Sequence, residues 1–224
     1  MMKTDSDKTG TRDAERTKAD IVRVATQHFA RYGMAGARVD RIAEETHTSK
    51  RMIYYYFNSK AGLYSEVLRQ NYRHIRSLEA GFDLEKLDPV QAIHLLVKST
   101  LEHYDANPEL VQIVVLENIL MKGKVLEQQK DMHAANQTIV ELISEIMHKG
   151  LEAGIFHYDP HKIDAIDVHA VITALIFFRI TDQYSFNIAF DRDLLHDKTP
   201  DEQTNIITRT TLGMLGADLS QLPY

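Results

Sequence analysis

From Ile21 onward, apolar residues recur every three or four positions, and no stretch alternates with the period of two that a half-buried strand needs. The pattern predicts an all-α chain. Ile21, Val22, Ala25 and Phe29 make one apolar face over two turns. Gly33 closes that helix after Tyr32, and Gly36 follows in the turn. A short second helix turns Val39, Ile42 and Ala43 inward. A third opens near Ser49 and buries Ile53 and Phe57, with Met52 and Tyr56 flanking them. Asn58-Ser59 breaks the pattern, and Ser59 is suited to cap a fourth helix carrying Leu63, Val67 and Leu68.

Cap-and-proline pairs punctuate the rest of the chain. Asp88-Pro89 predicts a helix to about Asn107, and Asn107-Pro108 predicts another to about Lys122. A long helix is expected from about Lys124 to Gly154, carrying Ile139, Leu142, Ile143, Ile146 and Met147. Asp159-Pro160 is read as the start of a helix through Ile166, Val171, Leu175 and Phe178. Thr199-Pro200 opens the last, which ends near Gly216. Residues 1–13 are polar and aperiodic, and read as a disordered arm.

Charge changes the picture. The net charge of −6 argues weakly against nucleic-acid binding, but it is unevenly spread. Residues 1–60 hold 12 Lys and Arg against 8 Asp and Glu, a surplus of +4, which leaves −10 for the remainder. A basic head on an acidic body is the asymmetry expected when only the head meets phosphate. There is no cysteine, which excludes disulfides, thiolate metal sites and cysteine nucleophiles, and fits a reducing cytoplasm. The first twenty residues lack the apolar core of a signal peptide. The apolar run from Val168 to Ile180 is interrupted by His169, Thr173 and Arg179, too soon to span a membrane. A cytoplasmic location is therefore expected.

Two short helices about four residues apart, from about 39 to 58, fit the helix-turn-helix plan. The second must pack one face on the first and offer the other to the major groove. Ile53 and Phe57, four apart, serve the first purpose; Lys50, Arg51, Tyr54 and Tyr55 project mostly elsewhere. Thr48 and Ser49 sit at the helix N-terminus, where hydroxyls and free amides bind phosphate. Lys50 and Arg51 occupy the first turn, a poor place for cations beside a helix dipole, and breaks in a local rule tend to mark function. Arg51 has the reach for guanine O6 and N7. Lys60 is a phosphate candidate, and Arg12, Arg16 and Lys18 can approach DNA from the arm. Aromatic residues at helical spacing are more often core, and for Tyr56 both readings stand. Three consecutive tyrosines span about 200° of helix surface and cannot all face one core.

The stretch from Ile21 to Leu68 resembles the TetR/AcrR family of bacterial transcriptional regulators. The resemblance rests on Ile42-Ala43 in the second helix, Ser49 opening the recognition helix, Ile53 through Phe57 with its three tyrosines, then Lys60 and Leu63. Three positions depart from the family pattern. Ala37-Arg38 stands where Thr-Ser or Thr-Thr is usual, so a neutral cap is lost and Arg38 becomes a candidate phosphate ligand. His47 stands where Gly is usual, which implies a positive φ. Arg51 stands where Gly or Thr is usual, which makes it the candidate specificity residue. The resemblance implies a three-helix DNA-binding head over residues 14–76 and a larger helical ligand-binding and dimerisation body over residues 77–224. It further implies a homodimer on a palindromic double-stranded DNA operator, and repression relieved by a small molecule. An activator of the same fold is the alternative.

The segment from Ala165 to Ile180 is apolar on nearly all sides, and a partner subunit is the simplest cover. The dimer interface is therefore placed on residues 164–190 and 201–216. Candidate pocket residues are the polar and aromatic groups that interrupt apolar helices: His103, Tyr104, Glu117, His133, Asn136, His169, Thr173, Phe177, Arg179 and Gln183. The plainer reading of each is a satisfied core polar group or a solvated one. Arg179 requires an anion, whether the carboxylate of an organic-acid effector, Asp182 or an acid of the partner chain. A rival reading makes the eleven histidines a metal site in an enzyme. Asp159-Pro160 places a helix start between His157 and His161, however, and no His-Glu-x-x-His, phosphate loop or nucleophile elbow appears. No cofactor, metal or catalytic residue is expected.

Overall fold

The computed structural model describes residues 6–79, 87–127 and 132–221. Among them the regular structure is helical throughout. The order is α1 (Ser6–Gly36), α2 (Val39–Glu45), α3 (Lys50–Phe57), α4 (Lys60–Glu79), α5 (Pro89–Ala106), α6 (Pro108–Leu116), a π-helical turn (Glu117–Met121), α7 (Lys124–Glu127), α8 (Met132–Glu152), α9 (Ala165–Thr181), α10 (Gln183–Phe190) and α11 (Pro200–Met214). A 3₁₀ turn (Leu219–Gln221) follows. No helix among the described residues is long and apolar enough to cross a membrane.

The chain forms two compact units. The head holds residues up to 71 together with 112–130, and the body holds 72–111 and 131 onward. The sequence pattern assigns 112–130 to the body. Those residues belong with the head because Ile113 and Val125 are buried in its core, beside Ile21, Phe29, Ile42, Ile53, Leu63 and Leu68. The rings of Phe29 and Tyr64 meet edge to face there, 4.9 Å between centroids. Helix α1 begins at Ser6, so residues 6–13 continue that helix instead of forming the expected arm. At its other end the helix breaks at Gly33, with φ 63° and ψ 175°, a conformation that glycine reaches without a Cβ clash.

In the body, α11 packs along α5, and α8 and α9 pack on each other and on α5. Val168, Ile172, Ile176 and Ile180 repeat every fourth residue of α9 and are all buried. Caps fix most helix starts as expected. The Asp88 carboxylate accepts from the N–H groups of Val90 and Gln91, with Pro89 in the first turn. Thr199 and Glu202 form a reciprocal capping box before α11.

Three elements differ from the sequence pattern. Asp159-Pro160 opens a turn, with the Asp159 carbonyl accepting from Lys162 and Ile163. The helix starts only at Ala165, because Asp164 and Asp167 form a complete capping box there. The expected helix over 164–190 breaks at Asp182, whose φ of −106° and ψ of 4° leave the α-helical range, giving α9 and α10. The helix from Asn107-Pro108 turns π-helical at Glu117 and ends at Lys122, which has φ 53°. A short α7 comes next, with α8 beginning at Met132.

Candidate nucleic-acid interface

Helices α2 and α3 are set by a turn at Thr46 to Ser49. His47 has φ 50°, as its place in the family's glycine position implied. The Thr46 hydroxyl donates to the Ile42 carbonyl at 2.7 Å and helps close the turn. Val39, Ile42 and Ala43 bury the inner face of α2, while Ile53 and Phe57 bury that of α3. The Ser49 side chain accepts from the Met52 N–H at 3.1 Å, capping α3. Arg38 precedes α2 without a side-chain cap bond, so the lost neutral cap is real. At the far end of α3, Asn58 takes φ 63°. Gly62 then brings α4 against the end of α3 so closely that a Cβ would lie 2.0 Å from the Phe57 carbonyl oxygen.

The outer face of α3 carries the expected chemistry. Lys50, Arg51, Tyr54 and Tyr55 are exposed, and Tyr55 is the most open of the three tyrosines at 77%. Tyr56 is half-buried, packed edge to face on Tyr55 at 5.4 Å and against the head's core. The core reading of Tyr56 is thus partly met. The Lys18 ammonium of α1 stands 5.5 Å from the centre of its ring and pairs with Glu15 at 2.9 Å. That hydrogen bond, and then the charge of Glu15, raise the Lys18 pKa above its ordinary value. Thr48 is half-buried at the helix start.

The two first-turn cations differ. Lys50 pairs with Asp40 of α2, 3.0 Å away, and this hydrogen bond and charge raise its pKa, while nearby Arg38 opposes the rise. Arg51 and Arg38 are exposed, and their guanidinium groups make no hydrogen bond or ion pair with the described residues. Arg51 is therefore the first-turn charge left uncompensated. Lys60, expected on phosphate, donates to the Ala35 carbonyl at 3.0 Å and ties α4 to the end of α1, with its other donors available. The pairing of Asp40 with Lys50 and the close approach of Gly62 to Phe57 escaped the sequence pattern, since neither pair stands at a helical spacing.

Beneath this surface Glu117 is fully buried in the head, not in the body where a pocket residue was expected. One carboxylate oxygen accepts from the Val125 N–H at 2.8 Å. Burial, then the Glu117 charge, push the Tyr64 phenol far above its ordinary pKa.

The other pocket candidates lie in the body, where the structure gathers some of them. His103 and Tyr104 of α5 are buried, their rings 4.9 Å apart. Tyr104 meets Phe177 of α9 edge to face at 5.0 Å. His169 and Thr173 share the Phe177 face of α9 by their four-residue spacing, and all three are half-buried. Asn136 of α8 is half-buried, and Gln183 donates to the Ile180 carbonyl. The side chain of His133 lies outside the described residues. Arg179 is neither ligand-facing by necessity nor paired with Asp182. Its guanidinium donates to both Asp105 oxygens, at 3.1 and 3.4 Å, and to the Leu194 carbonyl. Asp105 thus supplies the anion that Arg179 required.

Comparison with known proteins agrees with this geometry. Residues 21–67 match the family described as bacterial regulatory proteins, tetR family, and residues 89–210 match the tetracyclin repressor-like C-terminal domain. Over 189 residues the chain is 31% identical to the HTH-type transcriptional repressor NicS of Pseudomonas putida, covering 84% of this chain and 87% of that one. Among solved structures it is similar to the transcriptional regulator SCO4942 of Streptomyces coelicolor, with TM-score 0.65, 26% identity and coverage of 90% and 99% of the two chains. The fold is also shared with FadR of Bacillus subtilis, solved with stearoyl-CoA, at TM-score 0.65 and 15% identity over 88% and 98% of the chains. The chain belongs to the TetR family of bacterial DNA-binding transcriptional regulators.

Proposed function

We propose that the protein is a repressor that binds a palindromic operator as a homodimer and leaves it when a small molecule occupies the body. The observation that carries the reading is the outer face of α3. There Arg51, exposed and without an intramolecular carboxylate, stands beside Tyr54 and Tyr55 on a helix anchored from behind by Ile53 and Phe57. Arg51 reads a guanine edge in this proposal; Tyr54, Tyr55, Ser49, Thr48, Lys60 and Arg38 position the helix on sugar and phosphate. NicS, a named repressor, supports the sign of regulation.

Dimerisation is assigned to α9, α10 and α11. Ile166 and Phe178 of α9, Tyr184, Ile188 and Phe190 of α10 and Ile206 of α11 are exposed apolar side chains, and a second copy is their cover. The effector is a small molecule held in the body near His103, Tyr104, His169, Thr173 and Phe177. An acid anchored on Arg179 is not part of the proposal, since Asp105 fills that role.

Selection of bound duplexes from a random pool tests the proposal. Wild type is expected to enrich a two-fold symmetric sequence, and metabolite extracts containing the effector to abolish capture. Arg51→Ala should cost about 1–3 kcal/mol on the enriched sequence and relax one base position per half-site. Enrichment without symmetry, or an unchanged base preference in Arg51→Ala, would overturn it.

A further inference from the structure

We infer that Asp40 restrains sequence-independent DNA binding by holding Lys50, so that the two residues act as a matched pair at the edge of the reading helix. Lys50 lies in the first turn of α3, where the positive end of the helix disfavours a cation. Arg38 stands close enough to oppose its charge further. The carboxylate that compensates it comes from the first turn of α2, 3.0 Å away, with both side chains about half exposed. A phosphate approaching Lys50 must displace Asp40 and meets its negative charge. The pair therefore adds less to phosphate attraction than a free lysine at the same place. Arg51, one residue on, has no such restraint. The arrangement leaves base reading to Arg51 and limits the share of affinity that any DNA sequence would receive.

Asp40 could instead serve α2 alone, as an acid favoured at a helix N-terminus. The two roles separate by salt dependence, which a purely structural residue would not move. The inference rests on α3 facing DNA, and its test separates the two failures. The probe is a random-sequence duplex, measured by fluorescence anisotropy from 50 to 300 mM salt (about a sixfold range in ionic strength). Wild type that shows no salt-dependent binding would count against the DNA-binding reading itself.

Given that binding, Asp40→Asn keeps shape and removes charge. It should raise affinity for the random duplex by about two- to tenfold at the low-salt end and steepen the logarithmic salt slope by about one per head in contact. Lys50→Gln in the Asp40→Asn background should return both to wild-type values, while Lys50→Gln alone should change them little. Unchanged or weaker binding by Asp40→Asn, with its melting transition intact, overturns the inference. So does a gain that survives Lys50→Gln, because Asp40 would then act by its own charge. If Asp40→Asn is too unstable to assay, Lys50→Gln alone decides: a loss of about one in slope per head means that Lys50 was free to meet phosphate, and the inference fails.

Discussion

Replacing Gly62 with alanine should weaken the head although alanine is the better helix former. Gly62 lies in the first turn of α4, where its N–H donates to the Ser59 hydroxyl oxygen at 3.0 Å. A Cβ there would stand 2.0 Å from the carbonyl oxygen and 3.2 Å from the carbonyl carbon of Phe57. Both are backbone atoms at the end of α3, so no side-chain rotation relieves the overlap. Alanine gains about 1 kcal/mol of helix propensity over glycine, whereas an overlap this deep between backbone atoms belongs in the upper part, about 2–3 kcal/mol, of what overpacking typically costs. The expected net loss is about 1–2 kcal/mol, with α3 displaced relative to α4. At about 2–4 °C per kcal/mol for a chain of this size, the melting temperature should fall by roughly 2–8 °C. DNA affinity should fall with it, since the shift reaches the reading helix. Gly213→Ala is the control. It is also helical, but its Cβ would meet only the Leu219 side chain at an ordinary 3.6 Å, so it should leave stability equal or raise it by up to about 1 kcal/mol. Calorimetry of both variants decides. Gly62→Ala as stable as wild type, or the two variants shifting alike, would refute the packing argument.

Two predictions concern the body. Asp105→Ala strands Arg179, whose side chain is only 7% exposed, and should cost about 2–4 kcal/mol in denaturant unfolding, less than for a fully buried pair because Asp105 is partly open to water. Replacing both members by apolar residues should recover most of that loss; a negligible effect of Asp105→Ala would mean that the pair is not what accommodates Arg179. His94 is held below the ordinary histidine pKa by burial, and then by the Lys98 charge, with the acid Asp201 opposing them. Below about pH 6.5 the unfolded chain takes up a proton that the native chain refuses, so stability contributed by neutral His94 is intact at neutral pH and is lost on acidification. Wild type should therefore lose more melting temperature between pH 8 and pH 5 than His94→Gln, and equal losses would contradict the assignment.

Local chemistry made the head legible. The inward faces of α2 and α3 and the Ser49 cap arise from spacings of a few residues and stand in the structure as the pattern implied, while the positive φ of His47 follows what the family resemblance implied. Asp88-Pro89 and Thr199-Pro200 mark true helix starts for the same reason. Asp159-Pro160 carries the same kind of pair and makes only a turn, because the Asp164–Asp167 box five residues later captures the helix start. The contacts that escaped were tertiary. Arg179 meets Asp105 across 74 residues of chain, and Lys50 meets Asp40 across ten, neither a helical interval. Glu117 sits in a polar-interrupted apolar run like a pocket residue, yet residues 112–130 complete the head's core. The sequence already sets Arg51 apart from Lys50 by its reach for guanine and by its place in the family pattern. The fold adds that Asp40 compensates Lys50 while Arg51 stays uncompensated, which supports assigning the reading of bases to Arg51.

Methylation interference at guanine N7, on the duplex enriched by selection, tests that assignment most directly. The N7 atom lies in the major groove and accepts the bidentate arginine contact. Interference is expected at one guanine per half-site, related by two-fold symmetry, and should disappear in Arg51→Ala while phosphate-ethylation interference persists. Interference that is absent from wild type, or equally strong in Arg51→Ala, would contradict a reading helix that uses Arg51 in the major groove.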